Sequence, residues 1–173
     1  MHASTILMGV LAADPEQMRS LPQKDRLEKL DFVFKNEPNE AARWDAVWLA
    51  GELAEETNLK GPIFEQIGEL YDWVMRNDDN SVVRHEVCYQ IAGRNMRKQI
   101  PTLLDAALHD ESDLVRHEAI ECLSIIRADD EIVKVIKKGM EDPSKIVRET
   151  AVFVQKRIDR VKGKEYDRML GSF

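Results

Sequence analysis

The sequence predicts an all-α protein, a right-handed α-solenoid of about four helix pairs with terminal helices. Three observations predict it. Apolar residues recur at helical spacing with no alternating strand pattern, as in "VVRHEVCYQIA" from Val82 and "LVRHEAIECLS" from Leu114. Gly and Pro are sparse, at 8 and 6 of 173 residues, and 33% of residues are charged, which suits helices with broad solvated faces. An internal repeat organises the chain. Aligned arginines stand at Arg43, Arg84, Arg116 and Arg148, the last three at a constant step of 32 residues (116 − 84 and 148 − 116).

The flanks of these arginines repeat too. Asn39, Asn80, Ser112 and Ser144 stand four residues before them, where an N-cap is needed. Glu37, Asp78, Asp110 and Asp142 stand six before. Each arginine therefore opens the second helix of a pair. The first helices are "LPQKDRLEKLDFVFKN", "GPIFEQIGELYDWVMRN", "IPTLLDAALHD" and "DDEIVKVIKKGMED", with Pro22, Pro62 and Pro101 near three of their starts. The expected organisation is a single repeat domain over 1–173, with repeats at roughly 21–57, 61–96, 98–127 and 129–161. Residues 1–20 form an N-terminal cap and 162–173 a C-terminal tail. Repeat units of this size stack because none buries its apolar face alone.

Within the third repeat Val115, Ala119 and Leu123 form a core stripe, and Val83, Val87 and Ile91 do so in the second. His117 lies two residues beyond Val115, about 200° around the helix, and so points away from the stripe. His85 takes the matching position. If the second helices line one face, three rows cross it. The first is Trp44, His85, His117 and Glu149; the second is Trp48, Tyr89, Glu121 and Phe153; the third is Asp45, Glu86, Glu118 and Thr150. Aromatic rings around convergent polar groups suit a binding groove. Two histidines with a carboxylate also suit a first-row divalent metal. The bland alternative is a repeat duplication in which His and Glu are tolerated on a solvated face. His2 and His109 lie outside the rows and read as surface residues.

The arginine signature, D-x-[SN]-x-x-VR-x-x-[AV], resembles the short-period HEAT repeat shared by phycobilin lyases and deoxyhypusine hydroxylase, over roughly residues 21–161. That resemblance implies ties between neighbouring repeats through the Arg and Asp positions. Deoxyhypusine hydroxylase is a di-iron enzyme with His-Glu pairs in the middle repeats of each half. By motif position the resemblance implies His85, His117 and Glu118 as iron ligands, with Glu86 a ligand or substrate contact. This chain resembles one half of that enzyme and carries two such pairs where the family uses four. A symmetric homodimer would supply four. Phycobilin lyases point instead to ligand or protein holding, which suits Trp44, Trp48 and Tyr89.

The remaining chemistry is sparse. No Gly-rich phosphate loop or GxSxG elbow occurs, and Tyr89 and Glu121 replace the second histidine of an HExxH motif. Cys88 and Cys122 read as buried free thiols, which favours a reducing compartment. A net charge of −7 argues against non-specific nucleic-acid binding. The opening "MHASTILMGVLAAD" lacks the charged start of a signal peptide, and no run reaches the ~18 apolar residues of a membrane span. The expectation is a cytoplasmic protein. The basic run with Lys156, Arg157, Arg160, Lys162 and Lys164 reads as a solvated terminal helix. Two functions stay open. One is a HEAT-repeat binding protein gripping a peptide or small ligand in a concave groove lined by Trp44, Trp48, Tyr89 and the two His-Glu pairs, with Glu121, Glu149 and Phe153. The other is a half-size, homodimeric non-heme di-iron oxygenase.

Overall fold

The computed structural model describes residues 14–128 and 131–170, with backbone alone for 164–170. Most of the expected N-terminal cap, including His2, and the last three residues of the expected tail lie outside the described residues. The chain divides into two compact units, one ending at Gln99 and the other starting at Ile100.

The first unit contains α1 (Pro15–Ser20), α2 (Gln23–Asn36), α3 (Glu40–Glu56), α4 (Pro62–Asn77) and α5 (Ser81–Gly93), then a 3-10 turn at Arg97–Gln99. Helix α2 packs on α3 and α4, while α3 packs on α4 and α5. The result is two layers of helices, α2 with α4 and α3 with α5. The core between them holds Leu30, Val33, Val47, Leu53, Ile67, Tyr71, Val74, Val83, Val87 and Ile91, each at most 1% exposed. The Tyr71 hydroxyl donates to Val47 O at 2.8 Å, which satisfies the one polar atom this ring brings inside. Burial raises that phenol far above its ordinary pKa.

The second unit contains α6 (Ile100–His109), α7 (Asp113–Ile125), α8 (Ile132–Gly139) and α9 (Lys145–Leu170). Again there are two layers, α6 with α8 and α7 with α9. The stripe of Val115, Ala119 and Leu123 is fully buried. Gly139 lets helices approach closely: a Cβ there would come within 3.0 Å of both Ala151 Cβ and Ile120 Cδ1. Helix α9 continues through 162–170, so the backbone there is helical.

The repeated arginines close each turn in the same way. Arg43 Nη1 donates to Glu37 O and Pro38 O, and Arg116 Nη1 to Asp110 O and Glu111 O. Arg84 Nη1 reaches Asp78 O, and Arg148 Nη1 reaches Asp142 O and Pro143 O. These carbonyls lie in the turn that follows the preceding helix, beyond its intrahelical bonds. The other edge of the guanidinium reaches the next repeat. Arg43 forks onto Asp78 at 2.7 and 3.0 Å, and Arg116 onto Asp142 at 2.8 and 2.9 Å. Each guanidinium holds its charge more tightly for that contact. The aspartates also accept from the backbone N–H two residues on, at Asn80 and Ser144. One Arg-Asp pair thus fixes a turn and a repeat interface together.

The caps follow the expectation only in part. Asn39 and Asn80 each accept from two backbone N–H groups of the helix they open. Ser112 occupies the N-cap position of α7 but makes no side-chain cap bond. Ser144 Oγ instead donates to Asp113 Oδ2 at 2.7 Å. A serine hydroxyl carries a proton and can be drawn away by a nearby carboxylate, whereas an asparagine carbonyl only accepts. No strand occurs among the described residues, and no helix there is long and apolar enough to cross a membrane.

Candidate functional site

In the first unit the predicted aromatic residues come together. Trp44 and Trp48 lie one turn apart on α3, and Tyr89 faces them from α5. Trp44 and Trp48 have ring centroids 6.0 Å apart at 52°, and Trp48 and Tyr89 6.2 Å apart at 41°. These tilted contacts are the ones aromatic quadrupoles prefer. The three rings make a continuous ladder, half-buried at Trp44 and Trp48 and 47% exposed at Tyr89. The Trp48 indole Nε1 is buried without a hydrogen-bond partner among the described residues. A buried donor left unpaired is costly, by about 1–3 kcal/mol.

Beside the ladder, on the same α3 and α5 helices, lies a polar group. Glu86 is only 8% exposed, and its Oε1 accepts from Gln90 Nε2 at 2.9 Å. Gln90 is fully buried, and its Oε1 has no partner among the described residues. Arg94 Nε donates to Gly51 O at 2.8 Å, and its Nη2 pairs with Glu55. Glycine at position 51 makes room for two side chains. A Cβ there would stand 2.2 Å from Gln90 Oε1 and 2.7 Å from the Arg94 guanidinium. The sequence reading placed Glu86 in an outward row beside Trp44 and Trp48. The structure turns it into an interior bond with Gln90, because that residue stands one turn further along the same helix. His85 is half-buried.

Further along α3, charge pairs hold the helix to α1 and α2. Arg19 forks onto Glu52 with both bonds at 2.8 Å, and Arg26 reaches Glu56 at 2.8 Å. The Arg19 guanidinium, by donating to Glu52, holds that carboxyl below the usual range.

In the second unit His117 is fixed by Thr150 of α9. His117 Nδ1 lies 2.6 Å from Thr150 Oγ1, and that hydroxyl donates to Ile146 O at 2.8 Å. The hydroxyl has one proton, already committed to the helix, so it accepts from His117 Nδ1–H. In a neutral ring Nε2 would then carry the lone pair; it lies 4.0 Å from Glu118 Oε2. Cys122 Sγ donates to Glu118 Oε1 at 3.4 Å. Glu121 is half-buried, Glu149 is exposed and pairs with Lys145 at 3.5 Å, and Phe153 is 59% exposed. Thr150, expected in an outward row, is 5% exposed and serves His117.

Among the described residues, no three His, Cys, Asp or Glu side chains are grouped to hold a metal ion. The His-Glu positions provide donors in pairs, and one oxygen of Glu86 is already engaged. They do not make the three-donor set of a facial-triad iron site. Cys88 and Cys122 are buried free thiols, as expected.

The sequence reading missed Gln90, Gly51 and Arg94. A glutamine in the small-residue run of a capped helix, 39 positions (90 − 51) from the glycine it requires, carries no local signal.

Comparison with known proteins agrees with this architecture. Residues 70–154 match the family model of HEAT repeats. The structure of human deoxyhypusine hydroxylase in complex with glycerol is similar, with a TM-score of 0.65 at 23% sequence identity. The match covers 83% of this chain and 46% of that one, so the chain spans about half the enzyme's length. At that identity the likeness is one of fold. No curated protein sequence matches. HEAT repeats over residues 70–154 and the expected all-α solenoid class are thereby established.

Proposed function

We propose that this protein is a HEAT-repeat binding module that grips a polypeptide segment against the Trp44–Trp48–Tyr89 ladder. The observation that carries the reading is the unpartnered Trp48 indole N–H beneath a partly exposed run of three rings. That donor is closed off in the unbound chain, so the bound segment would displace the Tyr89 ring from Trp48 and set a backbone carbonyl against the indole N–H. The rings would supply apolar area at little cost in side-chain entropy. Glu86, Gln90 and Arg94, locked around Gly51, would hold the ladder's floor rigid.

Selection of a random peptide library on the folded chain tests this reading. The selected peptides should bind Trp48→Phe about 10-fold more weakly, since one hydrogen bond in a desolvated site is lost. Tyr89→Ala should cost as much or more. Equal affinity for wild type and both variants would defeat the proposal.

A second reading has one observation in its favour. Thr150 holds His117 in the tautomer whose Nε2 can ligate, a relay typical of metal-binding histidines. Under that reading His117 and Glu118, with His85 and Glu86, would be iron donors of a deoxyhypusine hydroxylase-like protein acting as a homodimer. Among the described residues these donors do not form a three-donor set within one chain. Iron content and solution mass of the purified chain separate the readings. Stoichiometric iron that disappears in His117→Ala would favour the second.

A further inference from the structure

On the other helix layer of the first unit, α2 and α4 border a cleft of about 380 Å³. That volume falls within the ~300–1,000 Å³ range of ligand clefts. Its apolar wall is made by Leu27, Leu70 and Trp73, and its rim by Glu28, Asp31 and Glu69. One cation already shows how the wall works. Lys35 Nζ sits 5.8 Å from the Trp73 ring centroid and 2.5 Å from Asp31 Oδ1. The ring and a carboxylate together recognise an ammonium group.

The other two carboxylates are spare. Glu28 has only a long 3.8 Å contact with Lys24, between side chains 69% and 80% exposed. Glu69 is exposed and makes no ion pair among the described residues. Three rim carboxylates against one lysine leave the cleft anionic. Nothing in the aromatic ladder on α3 and α5 uses these residues.

We propose that the α2–α4 cleft is a second docking site, which takes a basic polypeptide segment. A Lys or Arg side chain would lie between Glu28 and Glu69, and a neighbouring apolar residue on Leu27 and Leu70. Charge complementarity selects this occupant: the acidic rim repels anionic segments, and the apolar wall gives a bare inorganic cation nothing to bury.

The probe is a dodecapeptide of alternating Lys and Leu, with the alternating Glu and Leu peptide as its opposite. Binding is followed by the three tryptophan indole signals in a 15N-labelled chain. The Lys-Leu peptide should shift Trp73 alone, and its affinity should fall as salt rises. Glu28→Gln with Glu69→Gln should weaken it about 5-fold or more. The charge-matched double variant Glu131→Gln with Glu141→Gln, on exposed positions of the second unit, should leave affinity unchanged. Trp73→Leu should weaken binding too, and the glutamine variants keep the test intact if that chain fails to fold. The proposal is overturned if the peptide does not bind, or if both double variants lose affinity equally. Movement of Trp44 or Trp48 in place of Trp73 would also overturn it. So would self-association that Glu69→Gln abolishes, since a second copy would then be the occupant.

Discussion

Replacing Arg43 with methionine should cost about 3–5 kcal/mol, and the structure shows why. The side chain is 10% exposed and makes five hydrogen bonds, three to carboxylates and two to carbonyls. Its partner Asp78 has a side chain only 1% exposed. Without Arg43, Asp78 keeps one backbone N–H, from Asn80, against a buried negative charge. Breaking a buried pair from one side costs about 3–5 kcal/mol for this reason. At an m-value of about 2 kcal/mol per M, the urea midpoint would fall by about 2 M. All three tryptophans, Trp44, Trp48 and Trp73, belong to the first unit, so their fluorescence reports the relevant transition. Adding Asp78→Asn should restore part of the loss, because the stranded charge goes with it. Lys24→Ala, at an exposed pair, should shift the midpoint by no more than a few tenths of 1 M. If Arg43→Met moves the midpoint by less than about 0.5 M, the repeat tie is not what the geometry says.

Other outcomes follow from single contacts. Gly51→Ala should destabilise the first unit by about 1–3 kcal/mol in the same fluorescence assay, since Gln90 and Arg94 must give way; an unchanged midpoint would show that the cradle is loose. Asp142 has its pKa lowered mainly by the Arg116 guanidinium that donates to it, so its carboxylate is worth more folded than unfolded. That contribution is complete above its unfolded pKa of about 3.9 and is lost as pH falls through the lower folded value. The stability gap between wild type and Asp142→Asn, read by circular dichroism, should therefore narrow below about pH 4; a constant gap would contradict this. Nitrogen-15 shifts of the neutral His117 ring should report a proton on Nδ1, a preference that Thr150→Val removes; an Nε2 proton in the wild type would reverse the assignment.

The helix pairs were legible because a 32-residue step repeats three features at once: cap, acid and arginine. Their physics is local, and alignment exposes it. The stripes of Val83, Val87 and Ile91 and of Val115, Ala119 and Leu123 were legible for the same reason, from helical period alone. The ladder of Trp44, Trp48 and Tyr89 followed from equal register in two repeats. What escaped was decided by contacts between residues far apart in sequence or by competition for a proton. Glu86 looked outward on a helical wheel, yet Gln90 draws it inside. Ser112 and Ser144 looked like caps, yet neither bonds as one. Thr150 looked like a row-lining residue, yet it orients His117. The cleft at Trp73 escaped because its residues sit on first helices, where no signature marks them.

The ladder itself can be tested at one atom. With a library-selected peptide titrated into the 15N-labelled chain, the Trp48 indole N–H signal should move downfield as the donor gains an acceptor, and its exchange with solvent should slow. A signal that stays fixed while the peptide saturates the protein would contradict the ladder as the binding surface.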